Sequence, residues 1–238
     1  MGRTRYKIHP MMQLYSYYRS SASYRVRIAL NHKGLAYTHH SVHLVKNGGE
    51  QHAPEYKALN PQAQVPTFMD GDFVLTQSMA IMEYLEEKYP KPHILPRDPA
   101  QRAYVRQLSL ISVADIHPLN NLKVLNHLSG EFGITQVQKT EWYHKWIRQG
   151  FDALETLLDR SPFRTGPYCC GTEVTMADMC LVPQVYNARR YEMPLTDYPL
   201  ISAIEENCLK LKAFLDASPE HQPDTPDDQR PAFLKGHS

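Results

Sequence analysis

Gln13-Leu14-Tyr15-Ser16-Tyr17, then Tyr18-Arg19-Ser20-Ser21-Ala22-Ser23-Tyr24 and Arg25-Val26-Arg27-Ile28-Ala29-Leu30, decide how the chain is read. The first five residues alternate polar and apolar as a half-buried strand does, whereas Val26, Ala29 and Leu30 recur at helical spacing until Gly34 supplies a left-handed stop. The unit is strand, hydroxyl loop, helix. The first turn of a helix leaves backbone N–H groups unpaired and carries a partial positive charge. Ser20, Ser21 and Ser23 therefore suit either of two roles, capping their own helix or hydrogen-bonding an anion that the helix end already favours. A thiolate is such an anion, because a thiol that ionises at about pH 8.5 in water does so lower at a helix N-terminus. Position 22 is alanine, so any thiol must come with a ligand.

The chain has 238 residues, enough for one large or two modest domains, and two are expected. Its 26 basic and 25 acidic residues leave a net charge of +1, which offers no electrostatic footprint for nucleic acid or an anionic membrane and points to small-molecule partners. Cys169, Cys170, Cys180 and Cys208 form no Cys-x-x-Cys and no zinc spacing, and the histidines show no metal spacing, so reduced thiols and no metal are expected. No apolar run approaches the ~20 residues of a membrane span and no secretory signal is evident, which gives a cytoplasmic expectation. Residues 1–11 are basic and unpatterned and read as a disordered leader or an upstream start.

In chain order, Tyr37 to His43 reads as a second strand and Asn47-Gly48-Gly49 as a loop. Gln64-Val65-Pro66-Thr67-Phe68-Met69 and Phe73-Val74-Leu75 flank Asp70-Gly71-Asp72, a hairpin signal. Ser78 precedes a helical run to Lys88 that Pro90 and Pro92 close. The predicted fold is thus an α/β thioredoxin-like domain, βαβ then ββα, over residues 12–91, a proline-rich linker over 92–99, and an all-helical bundle over 100–226. The bundle's helices are expected at Arg102–Asp115, Thr140–Asp159, Thr175–Ala188 and Pro199–Phe214, the third opened by reciprocal capping in Thr175-Met176-Ala177-Asp178. From Asp216 the chain is polar and proline-rich and is expected to lie along the surface or fray, with 227–238 as a tail.

Two further places suit a ligand. Val65-Pro66, at the head of the hairpin, is a candidate cis peptide whose Val65 N–H and C=O can pair with an extended peptide as one more strand; an ordinary trans proline at an edge is the alternative. Gln77-Ser78 opens a helix whose free N–H groups and hydroxyl can hold a carboxylate or serve as a plain cap. With the thiolate site at 20–23, the three fit an anionic peptide containing cysteine.

These residues, with Ala58-Leu59-Asn60-Pro61, Gln77-Ser78-Met79-Ala80-Ile81 and Val174-Thr175-Met176-Ala177-Asp178, make the chain from about Met12 to Pro226 resemble the zeta-class glutathione transferases, the maleylacetoacetate isomerases. The resemblance implies a glutathione transferase fold and a cytoplasmic homodimer in aromatic amino-acid or gentisate breakdown. It implies a glutathione-dependent cis–trans isomerase of a small dicarboxylate keto acid, acting by reversible thiolate addition, bond rotation and elimination. Carried over by position, Ser20 and Ser21 face the glutathione sulfur, Val65 pairs with its cysteinyl backbone, Gln77 and Ser78 hold its γ-glutamyl end, and Gln51 and Gln64 add contacts. Ser23, His117 and Arg190 fall on the substrate side, Arg190 matching the arginine that anchors the substrate carboxylate; a solvated arginine that suits a helix end is the alternative. Two positions depart from the pattern. Ala22 stands where many relatives have cysteine, which leaves glutathione as the nucleophile, and His117 precedes Pro118 where glutamine is common; it is either a pH-sensitive substrate contact or a histidine at a helix kink. Maleylpyruvate isomerisation and conjugation or dehalogenation of α-halo acids stand as alternative activities, and a non-enzymatic binding protein of the same fold as the alternative of another class.

Overall fold

In the computed structural model, which describes residues 12–231, the opening stretch forms β1 (Met12–Ser16) and α1 (Ser21–His32). Gly34 ends α1 at φ 65°, a conformation that a side chain would strain, while the N–H groups of Gly34 and Leu35 return to the carbonyls of Asn31 and Leu30. The chain then runs through β2 (Tyr37–Ser41), two single 3-10 turns, α2 (Pro54–Leu59), β3 (Thr67–Asp70), β4 (Phe73–Thr76) and α3 (Ser78–Lys88). The strand order is β2-β1-β3-β4, with β1 parallel to β2 and antiparallel to β3, and β3 antiparallel to β4. This is the predicted βαβ then ββα. The short α2 was not anticipated, since six residues opened by Pro54 give too few turns for a periodic signal.

Helix α1 is buried nearly all round. Val26, Ile28 and Leu30 are closed to solvent, as are Leu14 of β1, Phe68 of β3 and Ile81 and Leu85 of α3, and Arg25 and Arg27 are as inaccessible as these apolar residues.

The second unit is all helical: α4 (Pro99–Leu110), running on as a π-helical turn Ile111–Ile116, α5 (Leu122–Glu131), α6 (Gln136–Arg160), α7 (Met176–Arg190), α8 (Pro199–Leu209) and the single turn α9 (Lys212–Leu215). Helix α5 is an addition to the expected set. The acid of the Thr175–Asp178 pair acts as read, its carboxylate accepting from the Thr175 amide at 2.7 Å and from the Cys169 amide at 2.8 Å. Burial nonetheless holds the Asp178 carboxyl above its ordinary range.

The compact units divide as residues up to Pro92 together with those from Leu215, and as His93–Phe214. Residues 215–226, expected with the helical domain, therefore belong with the sheet. Nor do they fray: Ala217 is fully buried, and Ser218, Gln222 and Thr225 are nearly so. Composition misled here because this segment is held by hydrogen bonds from polar groups, which leave no apolar period in the sequence. The expected leader, 1–11, and the end of the tail, 232–238, lie outside the described residues. The four cysteines are free, as expected. Among the described residues no cluster suited to a metal ion occurs, and no helix is long and apolar enough to cross a membrane.

Candidate functional site

The register brings the proposed ligand loops to one end of the sheet. Ser41 pairs with Ser16, Tyr15 with Thr67 and Thr67 with Thr76, so the ends of β2, β1 and β4 and the start of β3 form one row. Four segments leave from that row: 42–53 with Gln51, 17–20 before α1, 64–66 before β3, and Gln77 before α3.

At the first of these helix starts, Ser20 is the N-cap, its hydroxyl oxygen accepting from the Ser23 amide at 3.2 Å. A hydroxyl that accepts in this way keeps its own proton to donate, so the capping role and the anion role coexist in one residue. The Ser20 amide returns to the Tyr17 carbonyl at 2.9 Å, which fixes a turn just before the helix. Ser21 is buried, and Ser23 is fully so, with a hydroxyl that has no hydrogen-bond partner among the described residues. Thus Ser23, expected on the substrate side, does not open to solvent. Arg19, the residue before Ser20, has its guanidinium 5.3 Å from the Tyr18 ring centre and 6.0 Å from that of Tyr17. Burial pushes the Tyr17 phenol up to about 12, against the pull of Arg19, so it stays protonated at neutral pH.

Val65-Pro66 is cis, and Val65 lies beyond the last pair of the β1–β3 ladder, Tyr15 with Thr67. The residue before it is fixed from two sides: the Gln64 carbonyl accepts from the Tyr56 hydroxyl at 2.6 Å and from Asn60 Nδ2 at 2.7 Å, and the Tyr56 hydroxyl also meets Thr67 Oγ1 at 2.9 Å. Tyr56 and Asn60 are supporting residues that no sequence period announces.

Gln77 caps α3 at φ 70°, a left-handed conformation uncommon for a residue with a side chain, and makes no side-chain cap. Its amide reaches sideways to Gln62 Oε1 at 2.7 Å, so it does not turn back to satisfy the helix's first N–H groups. Ser78, buried, accepts from Arg25 NH1 at 3.0 Å. This bond joins the starts of α1 and α3 and puts a buried cation behind the Ser78 hydroxyl, which keeps a proton to donate. In the remaining segment, Gln51 is folded over Gly49: a Cβ added at Gly49 would stand 2.5 Å from Gln51 Nε2, and the residue's φ of 100° itself demands glycine. Gln51 is only 8% exposed, and its Oε1 has no hydrogen-bond partner among the described residues.

In the helical unit the two arginines at the end of α7 differ. Arg189 is engaged by buried Glu205, Nε lying 3.1 and 2.9 Å from its two oxygens. Arg190 instead lies over the Tyr191 ring, 4.8 Å from its centre, and Tyr191 stacks on Tyr143 at 3.6 Å. Burial drives the Tyr143 phenol far up, with Arg190 pulling it back, so a neutral tyrosine supports an exposed cation. His117 closes the π-helical turn, its amide bonded to the Ser112 carbonyl at 3.1 Å.

Residues 14–93 match the model of the glutathione S-transferase N-terminal domain and residues 140–217 that of the C-terminal domain. The chain is 46% identical over 217 residues to the maleylacetoacetate isomerase of Mus musculus, covering 91% of this chain and 96% of that one. It is 48% identical over 215 residues to the maleylpyruvate isomerase of a Ralstonia species, covering 90% and 100%. A crystal structure of the maleylacetoacetate isomerase of Methylobacterium extorquens AM1 with bound malonate and GSH superposes with a TM-score of 0.86 at 37% identity, covering 90% of this chain and 99% of that one.

Proposed function

The chain belongs to the glutathione S-transferase family, in the zeta-class branch of the maleylacetoacetate and maleylpyruvate isomerases, and we propose on that basis that it converts a maleyl keto acid from cis to trans with glutathione as cofactor. Maleylacetoacetate, giving fumarylacetoacetate in the breakdown of tyrosine and phenylalanine, is the substrate we assign. The observation that carries the reading is the start of α1, where the Ser20 hydroxyl caps with its oxygen and keeps its proton for an anion. The residues fit glutathione on a separate count: Gln51 Oε1 is a buried acceptor in want of a donor, and a peptide ligand brings amide N–H groups.

When bound, glutathione supplies a thiol nucleophile whose reversible addition to the activated double bond removes the barrier to rotation about it. The chain's residues do the rest. Ser20 and Ser21, with the positive end of α1, favour the ionised thiol. Val65 pairs with the cysteinyl main chain, and Gln64 and Gln51 add contacts. Gln77 and Ser78 hold the γ-glutamyl carboxylate at the open start of α3, with Arg25 behind the Ser78 hydroxyl. Arg190 takes a substrate carboxylate, and His117 is assigned to the substrate side, whereas the fully buried Ser23 is not. That a relative binds malonate, a dicarboxylate, together with GSH supports a site for a small dianion. The enzyme is proposed to work as a cytoplasmic homodimer, to be checked by sedimentation and cell fractionation.

The test is stoichiometric. With a maleyl keto acid and substoichiometric glutathione, many turnovers per glutathione and full recovery of free thiol are expected. A reaction that stops when glutathione is consumed would assign conjugation instead. The Ralstonia relative favours a second substrate, maleylpyruvate, and the ratio of kcat/KM for the two keto acids decides between them.

A further inference from the structure

The loop that carries Ser20 is held from behind by a segment some two hundred residues away in sequence. Past α9 the described residues form only single 3-10 turns, yet they are knit by their own polar groups. Gln222 Nε2 donates to the carbonyls of Asp216 and Ser218, both at 2.8 Å, the Thr225 hydroxyl donates to the Pro219 carbonyl, and Arg230 Nε donates to the Thr225 carbonyl at 2.9 Å. A strap so bonded keeps its shape without an apolar core of its own.

Three contacts lead from the strap to the turn before Ser20. Asp224 Oδ2 accepts the Tyr18 amide at 2.9 Å, Gln229 Oε1 accepts the Tyr18 hydroxyl at 3.2 Å, and the Ala217 carbonyl accepts Arg27 Nε at 2.9 Å. Arg27, wholly buried, carries the connection forward: NH1 donates to Ser16 Oγ at 3.0 Å and to the Tyr17 carbonyl at 3.3 Å, and NH2 to the Tyr18 carbonyl at 2.9 Å. The Tyr17 carbonyl is the same one that receives the Ser20 amide at 2.9 Å. The Ser41 hydroxyl donates to Asp224 Oδ2 at 3.3 Å, and His39 Nε2 stands 3.3 Å from Oδ1, an ion pair when the imidazole is protonated. Loops at ligand sites are ordinarily the mobile part of a fold; here the amide and carbonyl of Tyr18 and the carbonyl of Tyr17 are all tied down.

We propose that residues 217–229 form a clasp that sets the position of Ser20 toward the thiolate, with Asp224 and Arg27 as positioning residues that touch neither glutathione nor substrate. The proposal rests on the reading of Ser20 as a thiolate partner. Its physical basis is that a hydrogen bond to a developing or fixed charge depends steeply on placement, a misplacement of about 1 Å costing on the order of a hundredfold in rate.

The experiment compares the full-length wild type with Asp224→Ala, Asp224→Asn and Gln229→Ala. It reads the thiolate absorbance of bound glutathione against pH, kcat and KM separately, and the thermal midpoint. In Asp224→Ala the thiolate fraction at neutral pH is expected to fall roughly five- to tenfold, the equivalent of one lost hydrogen bond, and kcat to fall with it while the KM for glutathione moves less. Asp224→Asn keeps an oxygen for the Tyr18 amide and restores most of the loss. Gln229→Ala removes only the Tyr18 hydroxyl's acceptor and shifts the thiolate fraction about twofold in the same direction. A merely structural strap would lower the thermal midpoint in all three and leave the thiolate titration where it was, and that result overturns the proposal. Should Asp224→Ala not fold, an unmoved titration in Gln229→Ala overturns it equally. A wild type whose bound glutathione titrates like the free thiol overturns the reading of Ser20 itself, an outcome distinct from a clasp that fails in a wild type with a lowered thiol pKa.

Discussion

Ser20 does two jobs with one hydroxyl, and the two are separable by measurement. Ser20→Ala should cost about 1 kcal/mol of stability as a lost cap, seen in urea unfolding. It should also raise the pKa of bound glutathione while leaving affinity nearly intact, since a hydrogen bond to a charged group contributes about 1.5–3 kcal/mol. Ser21→Ala tests whether the second serine shares the donor role, and a thiolate titration unchanged in both single variants and the double one would count against either. At the end of α7, adjacent arginines should part company. Arg190→Ala is expected to lower kcat/KM for the dicarboxylate by the equivalent of about 2 kcal/mol, the lower end for a truncated charge pair because Arg190 is exposed, with glutathione binding unaffected. Arg189→Ala should leave turnover per folded molecule alone and lower the thermal midpoint, because it strips buried Glu205 of its partner. If the two variants behave alike, Arg190 has no special claim on the substrate.

Among the elements, the start of α3 shows a tension between stability and use. Gln77 is held at φ 70°, and strain of that kind costs on the order of 1 kcal/mol. Gln77→Gly should therefore hold or raise the thermal midpoint while weakening glutathione binding, and a variant that binds glutathione as tightly as wild type would remove Gln77 from the site. What could be read in advance also follows element by element. The strand read at Gln13–Tyr17, the helix stop at Gly34 and the hairpin across Asp70–Asp72 have local signals, alternation, a left-handed glycine and a two-residue turn; the stop and the hairpin stand where they are read, and the strand runs one residue earlier, Met12–Ser16. That Ser20, Val65 and Ser78 belong to one small sheet was legible from the order of elements, whereas their meeting at one end of it depends on strand order and register, which no local signal carries. Their supports were not. Tyr56 and Asn60 act on a carbonyl through bonds with no period, and Arg25 and Arg27, polar residues that a helical wheel assigns to solvent, are buried because Ser78 and the carbonyls of Tyr17, Tyr18 and Ala217 receive them.

For the molecule as a whole, the strap links acid stability to the sheet-bearing unit. Burial alone would raise the Asp224 carboxyl, but His39 and the Tyr18 amide outweigh it and hold the group below its ordinary 3.8. A carboxyl lowered on folding contributes stability above its unfolded pKa and loses it as pH falls through the folded one. Urea midpoints of wild type and Asp224→Asn should thus differ most near neutrality and converge as pH drops below about 4. A gap that stays constant across that range would mean that the charge on Asp224 contributes nothing. Burial likewise brings the Arg27 guanidinium down to about 10, still charged at any pH where the enzyme works. The same contacts set an order of events during synthesis. Tyr18 and Asp224 are 206 residues apart, so a ribosome must deliver the whole helical unit before the turn before Ser20 receives its outer partners. A nascent chain can close its sheet early, but its first helix waits with a buried arginine short of the Ala217 carbonyl until late in translation, and the thiol loop is among the last parts of the protein to set.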